Sequence, residues 1–324
     1  MRVECLSVSK YRAAGRPGDD VPLILPDRCW AVFDGVTDVN GTIIDGAGSG
    51  RFAAVRAAAT VAQQFAGHPP GALSPEELVA AINRDLAEAL SRESSAAGHR
   101  LGAATTMAMM ERIGEVCRFI LVGDSGVRLN AREVVQSLKP IDEITTVGRV
   151  VLYRHLRALG REASAVEAGA RRGIFLGLDA AVPDLLSPAD VEVVLAETGR
   201  LLAGRIPAAL LRFVAPVLRA GIPGGQYCYA NDPDHPLGYA VLDGTTTRGF
   251  GFVSFERPRA SLNSVEFFTD GYQALPEEPS VAAWEARAAE IERTDPSRTE
   301  TWWAGKGSTP AQFFDDRTVI VLAR

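Results

Sequence analysis

The chain has 324 residues, 47% of them hydrophobic and 23% charged, enough apolar material for a large buried core in one domain or two. Its 34 Lys+Arg against 40 Asp+Glu leave a net charge of −6, which argues against nucleic acid and anionic membrane surfaces as partners. No run approaches the roughly 20 apolar residues of a membrane span, and Met1-Arg2-Val3-Glu4-Cys5 lacks the pattern of a secretory leader, so a cytoplasmic protein is expected.

In chain order, the apolar run Cys29–Phe33 stops at Asp34-Gly35, which reads as a buried strand delivering a carboxylate at its C-terminal end. After a glycine-rich stretch, residues Arg51 to Phe65 are alanine-rich with Phe52, Val55, Val61 and Phe65 at helical spacing. A second helix opens at Ser74-Pro75-Glu76-Glu77, with Ser74 as N-cap, Pro75 at the first helical position and Glu77 closing the capping box. It should run to about Ser94 and bury Leu78, Ile82, Leu86 and Leu90. Ala103 to Met110 and Val116 to Val122 form a hairpin turning at Ile113-Gly114, and the alternation at Val127 and Leu129 beyond Gly123-Asp124-Ser125-Gly126 continues that sheet. The character then changes to i, i+3, i+4 spacing, as in Val150 to Leu156 and Ala208 to Leu218. The reading is a single domain over residues 1–324 carrying a mainly helical insertion at 131–221. Strand-like runs resume at Tyr227 to Ala230, Gly238 to Leu242, Gly249 to Phe255 and Ser264 to Phe268, the last stopping at Thr269-Asp270-Gly271. A final helix spans about Ser280 to Arg293, and Val319 to Leu322 closes the chain as a strand just after Asp315-Asp316.

The four cysteines, Cys5, Cys29, Cys117 and Cys228, form no CxxC pair, and the histidines His68, His99, His155 and His235 have no ligand spacing. Buried thiols are expected rather than zinc sites or disulfides. Chemistry therefore falls to carboxylates. Two apolar strands end in Asp-Gly and a third begins beside Asp315-Asp316; several such edges brought together repel until a hard divalent cation neutralises them. Oxygen-only donors favour Mg²⁺ or Mn²⁺, and glycine after the aspartate permits a sharp turn that exposes its carbonyl. Each motif taken singly is also an ordinary turn at a strand end.

The order of these motifs resembles that of the PP2C-type metal-dependent Ser/Thr protein phosphatases: Gly18-Asp19-Asp20, Val32-Phe33-Asp34-Gly35, Thr105-Thr106, Val122-Gly123-Asp124-Ser125, Phe268-Thr269-Asp270-Gly271 and Asp315-Asp316-Arg317-Thr318-Val319. The resemblance covers roughly residues 5–130 and 225–324 and leaves the helical middle unmatched. It implies an α+β fold, an αββα sandwich of two antiparallel sheets flanked by helices. It implies two Mg²⁺ or Mn²⁺ ions, with Asp34 bridging them, the Gly35 carbonyl and Asp20 on one, Asp19 acting there through water, and Asp270 and Asp315 on the other. Asp124 with Asp270 would hold a third, weaker ion, and Asp34, Asp270 and Asp315 would carry catalysis by an activated water, with no phosphoenzyme.

The sequence departs from that family at three places. The phosphate-clamping arginine's position is Gly15, leaving Arg12 and Arg16 as candidates; the acidic pair is Asp-Asp rather than Glu-Asp; and Val36-Thr37-Asp38 stands where many members carry His-Gly-Gly, making Asp38 a candidate proton donor. His235 could overhang the site or simply build a turn, and Trp302-Trp303 could form a docking surface or cover the core, the core being favoured. The leading functional reading is a phosphatase of phosphorylated protein substrates, phosphoserine or phosphothreonine, with the insertion shaping access or engaging a partner protein. The alternatives are a catalytically weak binding or regulatory module and a phosphatase of small phosphometabolites.

Overall fold

A computed structural model describes residues 2–245 and 251–324, apart from the side chains at 163, 164, 182, 183 and 184. Its strands and helices run β1 (Arg2–Val8), β2 (Val21–Leu25), β3 (Cys29–Phe33), a short ribbon β4 (Ile43–Ile44) and β5 (Ala47–Gly48), then α1 (Ser49–Gly67) and α2 (Pro75–Ala97). Next come β6 (Met107–Ile113), β7 (Val116–Val122), β8 (Gly126–Leu129) and β9 (Glu133–Val135). Helices follow as α3 (Pro140–Ala158), α4 (Ala163–Leu176), α5 (Leu178–Leu185), α6 (Pro188–Leu202) and α7 (Val214–Gly225). The chain ends with β10 (Phe252–Pro258), β11 (Ser264–Phe268), α8 (Val281–Thr294) and β12 (Arg317–Ala323). Two compact units result: Met1–Ser137, Ala240–Ala289 and Asp315–Arg324 form one, Leu138–Tyr239 and Glu290–Phe314 the other. Among the described residues no helix is long and apolar enough to cross a membrane.

In the first unit, two five-stranded antiparallel sheets have the orders β1-β12-β11-β8-β9 and β10-β7-β6-β3-β2. Side chains alternate across each strand, so every second residue enters the space between the sheets. Trp30 and Val32 of β3, Ala108 and Met110 of β6, Phe119 and Leu121 of β7 there meet Val127 and Leu129 of β8, Val265 and Phe267 of β11, Ile320 and Leu322 of β12. The intervening residues face outward under helices. Ala31, Phe33, Met107, Met109, Ile120 and Val122 are covered by Val61 and Phe65 of α1 and by Leu78 and Ile82 of α2. On the other sheet Phe268, Val319 and Val321 pack on Trp284 of α8. The fold is thus an αββα sandwich, and burial on both faces explains why β3 and β12 read as unbroken apolar runs. The α2 start is the capping box expected: Ser74 Oγ accepts from Glu77 N at 3.2 Å and Glu77 returns a carboxylate to Ser74 N at 2.8 Å.

Several expectations are corrected. β8 does not continue the sheet of the β6–β7 hairpin; it pairs with β11 in the facing sheet. Alternation specifies which face a residue presents, not which sheet it joins. β1 and β2 were not anticipated: β1 mixes apolar and polar residues at partial burial, and Pro22 interrupts the apolar stretch of β2. Cys29 and Cys117 are buried thiols, whereas Cys5 and Cys228 are exposed. Of the strand read at 249–255, residues 249 and 250 lie outside the described residues and the rest falls mostly in β10. Tyr227–Tyr229 is a 3₁₀ turn rather than a strand, and 238–242 forms only isolated bridges, Ala230 with Tyr239 and Thr105 with Leu242.

The second unit contains the helices Pro140 to Gly225, while β9 takes the start of the stretch read as helical. Its centre is Arg149 on α3, fully buried, paired with Glu167 of α4 and donating to the Ser297 carbonyl at 2.8 Å. Asp295 accepts the backbone N–H groups of Thr299, Glu300, Thr301 and Trp302 at 2.9–3.1 Å, which folds that segment into a tight cradle. Trp302 and Trp303 are half-buried, and Trp303 lies under the guanidinium groups of both Arg154 and Arg205. His155 pairs with Asp190 at 2.8 Å, and His235 stacks on Tyr229 with ring centres 4.0 Å apart.

Candidate metal centre

The carboxylates singled out in the sequence all belong to the first unit, at the ends of its strands. Asp34 follows β3, and its backbone carbonyl accepts from Thr106 N and Thr105 Oγ1, both at 2.8 Å, so the turn is tied to the segment entering β6. Gly35 keeps an ordinary negative φ; its need for glycine is space. A Cβ there would stand 2.3 Å from the carbonyl carbon of Gly50 in the first turn of α1, and one on Gly50 would stand 2.6 Å from the Val36 oxygen. Gly271 is likewise a point of close approach, with the Asp316 carbonyl 1.9 Å from where its Cβ would be. Packing, rather than the sharp turn expected, fixes both glycines.

Asp20 is 4% exposed. Its Oδ2 accepts from Thr269 Oγ1 at 2.7 Å, and Thr269 Oγ1 in turn accepts from Thr318 N at 2.9 Å, which joins the Asp20 loop to β11 and β12. The other oxygen, Oδ1, is buried without a hydrogen-bond partner. Burial pushes the Asp20 carboxyl up to about 7, with the charges of Asp316 and Asp315 adding to the shift and the Thr269 bond opposing it. Asp34 is raised well above the usual carboxylate range, by burial first and then by the charges of Asp270, Asp20, Asp124 and Asp315. Four of the sequence-identified aspartates therefore bear electrostatically on Asp34. Asp124 is buried, Asp315 half-buried and Asp270 exposed. Among the described residues no group of three or more His, Cys, Asp or Glu side chains forms a ready-made ion cage.

The orphaned Asp20 oxygen and the converging charge on Asp34 are what a hard divalent cation would satisfy, and the donors are all oxygens, which suits Mg²⁺ or Mn²⁺. Asp19 is differently engaged: its Oδ2 lies 2.5 Å from the Lys10 ammonium. Arg12 and Arg16 are exposed on the preceding loop, where the Arg16 guanidinium lies 3.5 Å from the Tyr11 ring centre. Gly15 has φ +80°, a conformation in which an arginine would be strained. Asp38 caps its own loop, accepting from Thr42 N at 2.6 Å and Asn40 N at 2.9 Å; burial works against its charge, but these bonds hold it below the usual range. Its contacts are those of a loop cap.

Two residues here carried no signal in the sequence. Lys10 is 4% exposed and bonded to two aspartates, and Arg51 of α1 donates to the Gly18 carbonyl at 2.8 Å, bracing the loop that carries Asp19 and Asp20. A single basic residue in a loop or a first helical turn has no pattern by which to be found.

No family model matches the chain, and no curated protein matches it. Solved structures do. The Mycobacterium tuberculosis serine/threonine phosphatase PstP/Ppp is 17% identical, with 100% of this chain and 99% of that one covered at a TM-score of 0.49. Stp1 from Staphylococcus aureus is 11% identical over 99% and 94% of the two chains, TM-score 0.48. The catalytic domain of PstP in complex with two manganese ions is 16% identical over 99% and 96%, TM-score 0.46. In backbone course the chain is similar to serine/threonine phosphatases. Likeness this distant carries no argument about chemistry, which rests on the carboxylates themselves.

Proposed function

We propose that this chain is a metal-dependent phosphatase acting on phosphoserine or phosphothreonine in proteins. The observation that carries the reading is the Asp34 carboxyl, raised by burial and then by the converging charges of Asp270, Asp20, Asp124 and Asp315, together with the unpartnered buried oxygen of Asp20. In the reading, Asp34, Asp20 and the Gly35 carbonyl hold one Mg²⁺ or Mn²⁺ ion, Asp34, Asp270 and Asp315 the other, and Asp124 with Asp270 a third. Such ions supply a water made acidic near neutrality and positive charge opposite the phosphoryl oxygens. The chain's own part is to hold that geometry. Thr105 and Thr106 fix the Asp34 backbone, and Thr269 orients Asp20 and ties it to β12. Arg12 and Arg16 are the cations of the loop nearest in sequence to the acidic pair and are assigned to the substrate phosphate.

The test is Mn²⁺-dependent release of phosphate from a generic aryl phosphate. We expect chelator to abolish it, and Asp34→Asn or Asp270→Asn to lower kcat by about 100-fold or more. Turnover indifferent to both substitutions would sink the reading. A phosphopeptide panel set against small phosphometabolites then separates protein from metabolite substrates. A second reading, a binding module with weak turnover, is favoured by Gly15, which leaves the phosphate clamp to two exposed arginines. Metal-saturated protein that binds phosphopeptide without hydrolysing it would select that reading.

A further inference from the structure

The adjacent aspartates Asp19 and Asp20 are held in opposite ways. Lys10, just past β1, is 4% exposed, and its ammonium lies 2.5 Å from Asp19 Oδ2 and 3.0 Å from Asp316 Oδ2. Asp316 is itself 3% exposed and closes the group, accepting from Lys10 N at 2.6 Å and from Asp19 N at 3.0 Å. There is no slack around it: a Cβ on Gly18 would stand 2.0 Å from Asp316 Oδ1. Asp20, one residue on, keeps a buried oxygen with no partner at all.

We propose that the Lys10 ammonium is a resident cation that withdraws Asp19 from the metal ligands, so that the site binds its ions through Asp20 but not Asp19. The proposal rests on the metal-dependent reading above. For Asp19 Oδ2 to reach an ion, directly or through water, it would have to leave Lys10, and the buried ammonium would be left with Asp316 alone, a loss of pairing that is unfavourable in a protein interior. Asp20 breaks no ion pair, because a cation at its free oxygen displaces at most a proton. Lys10 cannot serve the substrate phosphate either, since its charge is spent on two carboxylates at hydrogen-bonding distance.

The experiment is calorimetric titration of the full chain with Mn²⁺ alone, no substrate present. With Lys10 in place, Asp19→Asn should leave the number of ions unchanged and the Kd within about threefold, whereas Asp20→Asn should weaken binding by about 10-fold or more. Lys10→Met should release Asp19 and tighten binding about 10-fold or add an ion, and Asp19→Asn in that background should reverse the gain. An Asp19→Asn protein as impaired as Asp20→Asn overturns the proposal while leaving the metal site standing, and this arm decides even if Lys10→Met fails to fold. Protein that binds no Mn²⁺ with or without Lys10 overturns the metal reading and the proposal together.

Discussion

At the scale of single residues, the site is defined by which carboxylates have a partner. Asp316 and Asp19 have Lys10, Asp38 has the N–H groups of its own loop, and Asp20 has one satisfied oxygen and one orphan. This predicts a pH effect with a definite sign. Because Asp20 is raised to about 7, the folded metal-free protein keeps a proton that the unfolded chain releases above the ordinary carboxylate range. Stability must therefore fall as pH rises from about 4 to about 7, the interval in which the native state binds more protons. Urea titrations of metal-stripped protein at about pH 5 and about pH 7.5 should show the lower midpoint at the higher pH, and Asp20→Asn should remove close to one proton from the difference. An unchanged pH dependence in that variant would contradict the assignment. Asp34 and Asp270 were legible because each sits where an apolar run stops, and Asp315 because it stands just before one begins, while Lys10 and Arg51 were not, their roles being set by contacts with residues far away in sequence.

At the scale of elements, β8, β11 and α8 are joined by one buried carboxylate. Glu266 is fully buried; Arg128 Nε donates to it at 2.9 Å, the rest of that guanidinium grips its second oxygen, and Trp284 Nε1 donates at 2.8 Å. Removing one partner of such a group leaves the other charge buried and unpaired. Glu266→Ala should cost about 3–5 kcal/mol, read as a lowered urea midpoint with unchanged ligand-free secondary structure before the transition. Replacing Glu266 and Arg128 together with apolar residues should recover part of the loss. None of this network is visible in sequence, since Glu266 and Arg128 are 138 positions apart. The α2 capping box was visible, because all of its partners lie within four consecutive residues. The destination of β8 was not, because a run of four residues carries a face but no partner.

At the scale of the whole molecule, the apolar runs marked strands and helices and the layering was implied by the resemblance in motif order, but the tolerances between layers were visible in neither. Helix α1 meets the end of β3 at Gly35 and Gly50 with no clearance. Gly35→Ala should lower stability by about 3 kcal/mol or more, or abolish soluble protein, although alanine could adopt the local backbone without strain. A urea midpoint near that of the unmodified chain would refute the contact. The same contact has a genetic side. A cavity or clash between two side chains can usually be repaired by a compensating change across the interface, whereas here both partners are already reduced to hydrogen. In a suppressor screen starting from Gly35→Ala, position 50 has nothing left to surrender. Any revertant must move backbone or restore glycine, so the two positions should vary little.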